Sequence, residues 1–322
     1  MPRYKKSQSR AYCRENMKGI WAAIPYPFDK NDRIDEQAFR ADIRRYIDDL
    51  KIKGFFVGGL IGEFWCLTKE ERLRGQAIAA DEAGDVPIIA HTGHTSAKEC
   101  AELINAAADA GCTYAIVGNP YLGTGGYPER IRAFIKYVCG HTELGVALFN
   151  FAASGYLMPP QLVREIVDEN ETVCCIKDAA PMNHCDEVRE LVGKDIVVSN
   201  PNESHWFFNR AYNKQQTFMS GPDPFLMQRK GNLGMDRYTR LIDEGNLEEA
   251  WTAREALNGA RRVAEKWLWG PWGRGAFPIA ALKTWMDFMG MHGGPSRPPM
   301  IPLKPAEREE LKRDLAAVGL VD

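Results

Sequence analysis

A (β/α)8 barrel of the TIM type with a C-terminal helical appendage is the fold class this sequence predicts, and three observations predict it. Eight short apolar runs alternate with longer amphipathic stretches in one steady rhythm. The runs are apolar throughout, as strands buried on both faces of a parallel sheet must be. No Gly-x-Gly-x-x-Gly turn follows the first run, as it would in an open dinucleotide-binding sheet, and the rhythm continues for about 245 residues, the length of one closed barrel.

In chain order the strands are expected at Ile20–Ile24, Gly54–Gly58, Pro87–Ala90, Tyr114–Val117, Val146–Asn150, Val173–Lys177, Ile196–Ser199 and Thr217–Ser220. Helices are expected at Asp35–Leu50, Lys69–Ala83, Ala97–Ala110, Pro128–Val138, Pro160–Asp168, Asn183–Val192, His205–Tyr212 and Pro224–Glu244. Thr68, followed by Lys69, Glu70 and Glu71, is a helix start with acids in its first turn, and Ser96 can cap the next helix. Gly84, Gly111 and Gly193 fall where helices should end. Beyond the eighth unit come helical patterns without strands, Leu247–Trp269, Pro278–Met289 and Pro305–Val318, carrying Trp251, Trp267, Trp269 and Trp285. The expected division is a polar, solvated arm over residues 1–17, the barrel over 18–245 and a helical region packed on it over 246–322.

Hydrophobic residues make up 45% of the 322 positions and charged residues 26%, with a net charge of -2. That is enough apolar content for a large core, and the balanced charge suggests neither nucleic acid nor a membrane surface as partner. The first residues are basic and lack the apolar stretch of a signal peptide. The eight cysteines show no zinc-site spacing and read as free thiols in a reducing cytoplasm.

Barrel chemistry sits where strands end. That rule selects Tyr26, Gly59–Glu63, His91–His94, Asn119–Leu122, Phe149–Phe151, Lys177–Asp178, Asn200–Asn202 and Ser220–Asp223. Lys177 stands out, because it places an ammonium at the end of the apolar run Val173-Cys-Cys-Ile. Charge there is costly unless the proton is shed, and the neutral amine attacks carbonyl carbon to form an imine. Position alone fits a structural lysine paired with a carboxylate equally well. The glycines of Gly58-Gly-Leu-Ile-Gly-Glu63 allow close backbone approach, and the N–H groups around Gly59 can hold a carboxylate. Glu63 reads as a buried acceptor of loop amides. His91 and His94 are a close pair, but no carboxylate accompanies them at ligand spacing, so no metal is expected.

Gly54-Phe-Phe-Val-Gly-Gly-Leu-Ile-Gly-Glu-Phe64 with Leu67-Thr-Lys-Glu-Glu71 resembles the first signature of the dihydrodipicolinate synthase / N-acetylneuraminate lyase superfamily. Val146-Ala-Leu-Phe-Asn-Phe151 resembles its strand-five motif, and Cys175-Ile-Lys-Asp178 its Schiff-base strand. The spacing from Phe149 to Lys177 matches the family's. Trp21-Ala-Ala-Ile-Pro-Tyr-Pro-Phe28 looks like its first strand, and Arg297-Pro-Pro299 like its C-terminal arm. The resemblance implies that Lys177 forms the imine with a pyruvate-like 2-oxo acid, without metal or organic cofactor, in a homotetramer built as a dimer of dimers. It implies aldol cleavage or condensation, or dehydration.

The sequence departs from the family's pattern in one direction. The strand-five tyrosine is Phe149, the hydroxyl pair after the strand-two glycine is Leu60 and Ile61, a second relay tyrosine is Leu122, and Ser154 stands near a carboxylate-binding arginine's place. Phenylalanine has no proton to give, and acid–base help is worth ~10²–10⁴-fold. His91, at its strand end, is a candidate replacement beside His94, His205, Tyr26, Tyr121 and Tyr156, and a bound water or the substrate's own carboxylate can serve as well. Gly59, Leu60, Ile61, Leu122, Phe149, Phe151, Ser154 and Asn200 are the expected substrate contacts, and with Trp65 most of that lining is apolar. An aromatic or long apolar substituent suits it, as in the family's hydratase-aldolases that cut arylidene pyruvates. Two alternatives stay open: dehydration or decarboxylation through the same imine, and a barrel that binds an oxo acid without turnover.

Overall fold

The computed structural model describes residues 3–120 and 122–322. By their internal packing these form two compact units: the chain up to Trp21 with Lys53–Val57 and Gly84–Gly221, and Ala22–Ile52 with Gly58–Ala83 and Pro222–Asp322.

Among the described residues eight strands form: β1 (Gly19–Ile24), β2 (Gly54–Val57), β3 (Ile88–His91), β4 (Tyr114–Gly118), β5 (Gly145–Asn150), β6 (Val173–Asp178), β7 (Val197–Ser199) and β8 (Thr217–Gly221). They make one sheet in the order β7-β6-β5-β4-β3-β2-β1-β8. The pairings from β2 to β7 are parallel. The last link runs through Ser199, whose hydroxyl donates to the Thr217 carbonyl and accepts from the Met219 N–H, each at 2.9 Å. Each strand thus lies beside its predecessor with a helix between them, the (β/α)8 arrangement.

The helices start on the chemistry expected of them. Asp35 caps α2 (Glu36–Asp48) by accepting from Ala38 N at 3.0 Å. Thr68 and Glu71 bond each other's backbone N–H at the head of α3 (Lys69–Ala83), and Ser96 caps α4 (Ala97–Asp109). Gly84 and Gly111 take φ of 58° and 91°. Gly193 ends its helix right-handed instead, at φ −64°, and is needed because a Cβ there would lie 2.5 Å from the Arg189 carbonyl. In the first unit α5 (Pro128–Gly140), α6 (Pro160–Glu169) and α7 (Met182–Val192) press Ile131, Leu162, Ile166 and Val188 onto Val146, Leu148, Val173 and Ile176. The crossover from β7 to β8 is α8 (Glu203–Ala211).

Three expectations are corrected. The arm is solvated on one side only: Ser9–Asn16 is a helix, α1, whose Ser9 and Cys13 are buried together with Met17 just after it, while Ala11, Arg14, Glu15 and Asn16 are exposed. The four-residue spacing of Ser9, Cys13 and Met17 makes the stripe that packs on the strand starts. Tyr4 donates to Thr113 O at 2.7 Å and accepts from Gly145 N at 2.9 Å, while Arg10 satisfies the carbonyls of Val167, Asn170 and Val173. The stretch Pro224–Glu244 is not one helix but α9 (Asp223–Leu226) and α10 (Gly234–Asp243). Between them Arg229 and Asn232 bond each other's backbone around Gly231, whose φ is 82°. The stretch Leu247–Trp269 also breaks, into α11 (Leu247–Glu255) and α12 (Asn258–Ala264), followed by a wider turn over Glu265–Trp269 and α13 (Gly270–Gly273). At the first break the Arg254 carbonyl accepts from Leu257 N and also from the Arg261 guanidinium, which binds the Asn258 side chain as well.

The chain ends in α14 (Ile279–Phe288) and α15 (Pro305–Ala317), which pack within the second unit. There Arg45 donates to the carbonyls of Met289 and Gly290, and Asp42 binds His292. Among the described residues no helix is long and apolar enough to cross a membrane.

Candidate active site

One pairing row crosses the first unit near the strand ends, running Gly118, Phe149, Lys177, Ser199 over β4 to β7. Lys177 lies one residue from the end of β6 and is 5% exposed. Its Nζ donates to the Ser220 carbonyl on β8 at 2.7 Å. The same nitrogen lies 4.7 Å from the ring centres of both Phe56 and Phe149. Phe149 meets Phe56 edge-on at 5.9 Å and stacks on Phe151 at 4.1 Å. Gly118 leaves room for that stack, since a Cβ there would already touch the Phe151 ring at 3.4 Å. The amine is therefore held in an aromatic clamp. His91, at the end of β3 and buried, places its ring 6.1 Å from Phe56.

Behind the lysine the strand alternation turns Asp178 into a second buried network. Asn150 donates to its Oδ1 at 2.9 Å, and the His184 Nδ1 lies 3.0 Å from its Oδ2. Burial pushes the Asp178 carboxyl up, against the pull of His184. The other His184 nitrogen faces the Met158 carbonyl at 3.0 Å. This network fixes β6 to β5 and to α7.

The remaining expected residues divide sharply. Phe149, Phe151, Lys177 and His91 come together in the first unit. Asn200 is buried, but its amide is spent on the carbonyls of Asp178 and Ala180 and on Asn202 N. The Ser154 hydroxyl donates to Phe151 O at 2.7 Å and also lies 3.2 Å from Tyr156 O, shaping the loop after β5. Both were expected to touch substrate, and both hold the local backbone through these hydrogen bonds. Leu122 is 64% exposed, so it stands outside the buried cluster. His94 is exposed and accepts from Ser96 N, a turn contact. Tyr121 lies outside the described residues. Tyr26 and His205 are respectively buried and half-buried. Phe56 and the hydroxyl-bearing Ser220 had no role assigned from sequence. Ser220 fell on the strand-end list, whereas Phe56 looked like plain strand filling.

In the second unit the loop after β2 carries Gly59, Leu60 and Ile61, with Gly59 and Ile61 buried and Leu60 half-buried. Gly58 needs to be glycine: its φ is 72°, and a Cβ would lie 3.2 Å from the Tyr26 hydroxyl. Glu63 ends the loop in the left-handed region at φ 53°. Its carboxylate meets Lys283 Nζ at 2.5 Å, both side chains being essentially inaccessible. Trp65 stacks on Phe277 at 5.0 Å.

The model of the Dihydrodipicolinate synthetase family matches residues 16–211. The chain belongs to that family. An uncharacterized DapA-like lyase of Pyrobaculum arsenaticum is 26% identical over 310 residues, covering 95% of this chain and 99% of that protein. An N-acetylneuraminate lyase of Clostridium perfringens is 44% identical over 96 residues, 30% of this chain and 33% of the relative. Among solved structures, YagE of E. coli K12, a prophage protein of the dihydrodipicolinic acid synthase family crystallised with pyruvate, superposes with a TM-score of 0.82 at 22% identity. It covers 94% of this chain and 99% of its own, and it shows the shared barrel. As a member of this family the chain is a lyase of the class I aldolase type.

Proposed function

We propose that the chain is a Schiff-base-forming lyase of a pyruvate-like 2-oxo acid bearing an apolar or aromatic substituent, with Lys177 as nucleophile. The observation that carries this reading is the setting of Lys177, a buried strand-end amine held by a carbonyl and two ring faces. The amine adds to the keto carbon, water leaves, and the protonated imine becomes the electron sink for breaking the adjacent C–C bond. An arylidene pyruvate takes up one water across its double bond and splits into an aryl aldehyde and the enamine of Lys177. Protonation and hydrolysis of the enamine then release pyruvate and the free amine. The faces of Phe56 and Phe149 favour the cationic imine, and the imine supplies the chemistry that an organic cofactor or metal would otherwise bring.

His91 is the group proposed to accept the hydroxyl proton during C–C cleavage. The apolar substituent follows from Phe149 and Phe151: a polyol would leave hydroxyls unpaired against them, at about 1–3 kcal/mol each. A homotetramer in the cytoplasm completes the reading, supported by the family and by the eight free cysteines. Phe149 also supports a second reading, a barrel that binds an oxo acid without turnover. Purified protein supplied with one arylidene pyruvate and one polyhydroxylated aldol separates them. Aldehyde and pyruvate released from the first far faster than from the second support the proposal, and preference for the polyhydroxylated substrate contradicts it.

A further inference from the structure

Forming an imine at Lys177 requires a proton to leave nitrogen and another to reach the departing hydroxyl. Phe149, paired with Lys177 across β5 and β6, has no proton to exchange. Among the described residues four serines are buried: Ser9, Ser154, Ser199 and Ser220. The first three donate their hydroxyls to the carbonyls of Lys6, Phe151 and Thr217. The Ser220 hydroxyl is buried as deeply, 2% exposed, yet has no hydrogen-bond partner. An unsatisfied buried hydroxyl destabilises a fold, so its retention points to a partner that arrives with the substrate. Ser220 is also the residue whose own carbonyl receives the Lys177 Nζ at 2.7 Å. Only the short span from Cα to the carbonyl on one side and to Oγ on the other separates the hydroxyl from that contact.

We propose that Ser220 is a catalytic residue, a proton relay for imine formation supplied by β8 in place of a hydroxyl on β5. This rests on Lys177 being the imine-forming lysine. In the carbinolamine, carbon carries both the Lys177 nitrogen and a hydroxyl. With the nitrogen carrying two protons, Ser220 gives its Oγ proton to that hydroxyl, which leaves as water, while Oγ takes one of the two nitrogen protons and the other stays on the imine. The C–O bond breaks, the C=N bond forms, and serine ends as it began, so no strong base is required of it. This duty is separate from that of His91, which concerns the later C–C cleavage.

The test is the rate of borohydride trapping with pyruvate in wild type, Ser220→Ala and Ser220→Thr, read as modified Lys177 by peptide mass, with melting temperatures alongside. Ser220→Ala is expected to slow the limiting trapping rate by about a hundredfold or more with an unchanged or raised melting temperature. Ser220→Thr, which keeps a hydroxyl, is expected to recover most of the rate. Equal limiting rates in wild type and Ser220→Ala overturn the relay while leaving the imine intact. A rise only in the pyruvate concentration needed for half-maximal rate assigns the hydroxyl to binding and likewise overturns it. A slower rate with a lowered melting temperature and no recovery by threonine means a structural role. No adduct in the wild type overturns the imine reading and the relay together.

Discussion

Lys177 and Lys283 are both nearly sealed from water, at 5% and 1% exposure. Both lie over aromatic rings: Lys177 at 4.7 Å from Phe56 and Phe149, Lys283 at 4.2 Å from Phe28. They differ in what meets the nitrogen. Lys283 has the Glu63 carboxylate at 2.5 Å and the Pro295 carbonyl at 3.0 Å. Burial pushes Lys283 down and Glu63 up, each toward its neutral form, and each partner opposes the other's shift. That pair ties the loop after β2 to α14 and closes off the amine. Lys177 has the Ser220 carbonyl at 2.7 Å and two ring faces beside its nitrogen, contacts that the cationic imine can keep as well as the amine. Burial of a lysine is thus no mark of catalysis; the chemistry of its partner decides.

The comparison can be broken most directly by removing each lysine. Lys177→Ala is expected to abolish lyase activity with the fold intact, checked by turnover and circular dichroism together; near-normal turnover would falsify the nucleophile assignment. Breaking the other pair should act on stability. Glu63→Gln leaves Lys283 buried beside an uncharged group and is expected to lose about 3–5 kcal/mol in urea unfolding. The double change Glu63→Leu with Lys283→Met should recover much of it. A loss below ~1 kcal/mol in the single variant would remove the structural joint from the account.

Phe149→Tyr sharpens the Lys177 side. It introduces a hydroxyl among Phe56, Phe151 and the amine, costing about 1–3 kcal/mol where it stays unsatisfied. Activity on an arylidene pyruvate should fall or stay level. A tenfold or greater gain on both aromatic and aliphatic substrates would mark a decayed enzyme repaired, and would contradict a pocket adapted to apolar groups.

The smallest effect concerns Arg297, which binds Glu71 at 2.7 Å in the second unit. The guanidinium holds the Glu71 carboxyl below its usual range. A depressed carboxyl stabilises the fold above its unfolded pKa, and the gain is lost as pH falls through the folded value. Acid should therefore weaken the wild type by on the order of 1 kcal/mol more than Glu71→Gln. Equal acid sensitivity of the two proteins would show that the contact contributes nothing.

The barrel was legible because each strand is a short apolar run between capped helices, and Lys177 because it breaks such a run at its end. What could not be read was set by contacts between distant segments. Phe56 looked like strand filling until closure of the sheet brought β2 to the lysine. Asn200 and Ser154 stood at strand ends with suitable chemistry, but nearby carbonyls claim their polar atoms, and spacing carries no record of that. The N-terminal helix escaped notice because its buried stripe is only Ser9, Cys13 and Met17 within a basic, polar run. The break after α9 was signalled by Gly231, which a long amphipathic pattern outweighed.

The central claim is that Lys177, and no other lysine, forms the imine. Incubation with pyruvate and borohydride, followed by peptide mass analysis of wild type and Lys177→Ala, tests it directly. The account predicts one reduced pyruvyl adduct, confined to Lys177 in the wild type and missing from the variant. An adduct on Lys283 or another lysine, or none with active wild-type enzyme, would contradict it.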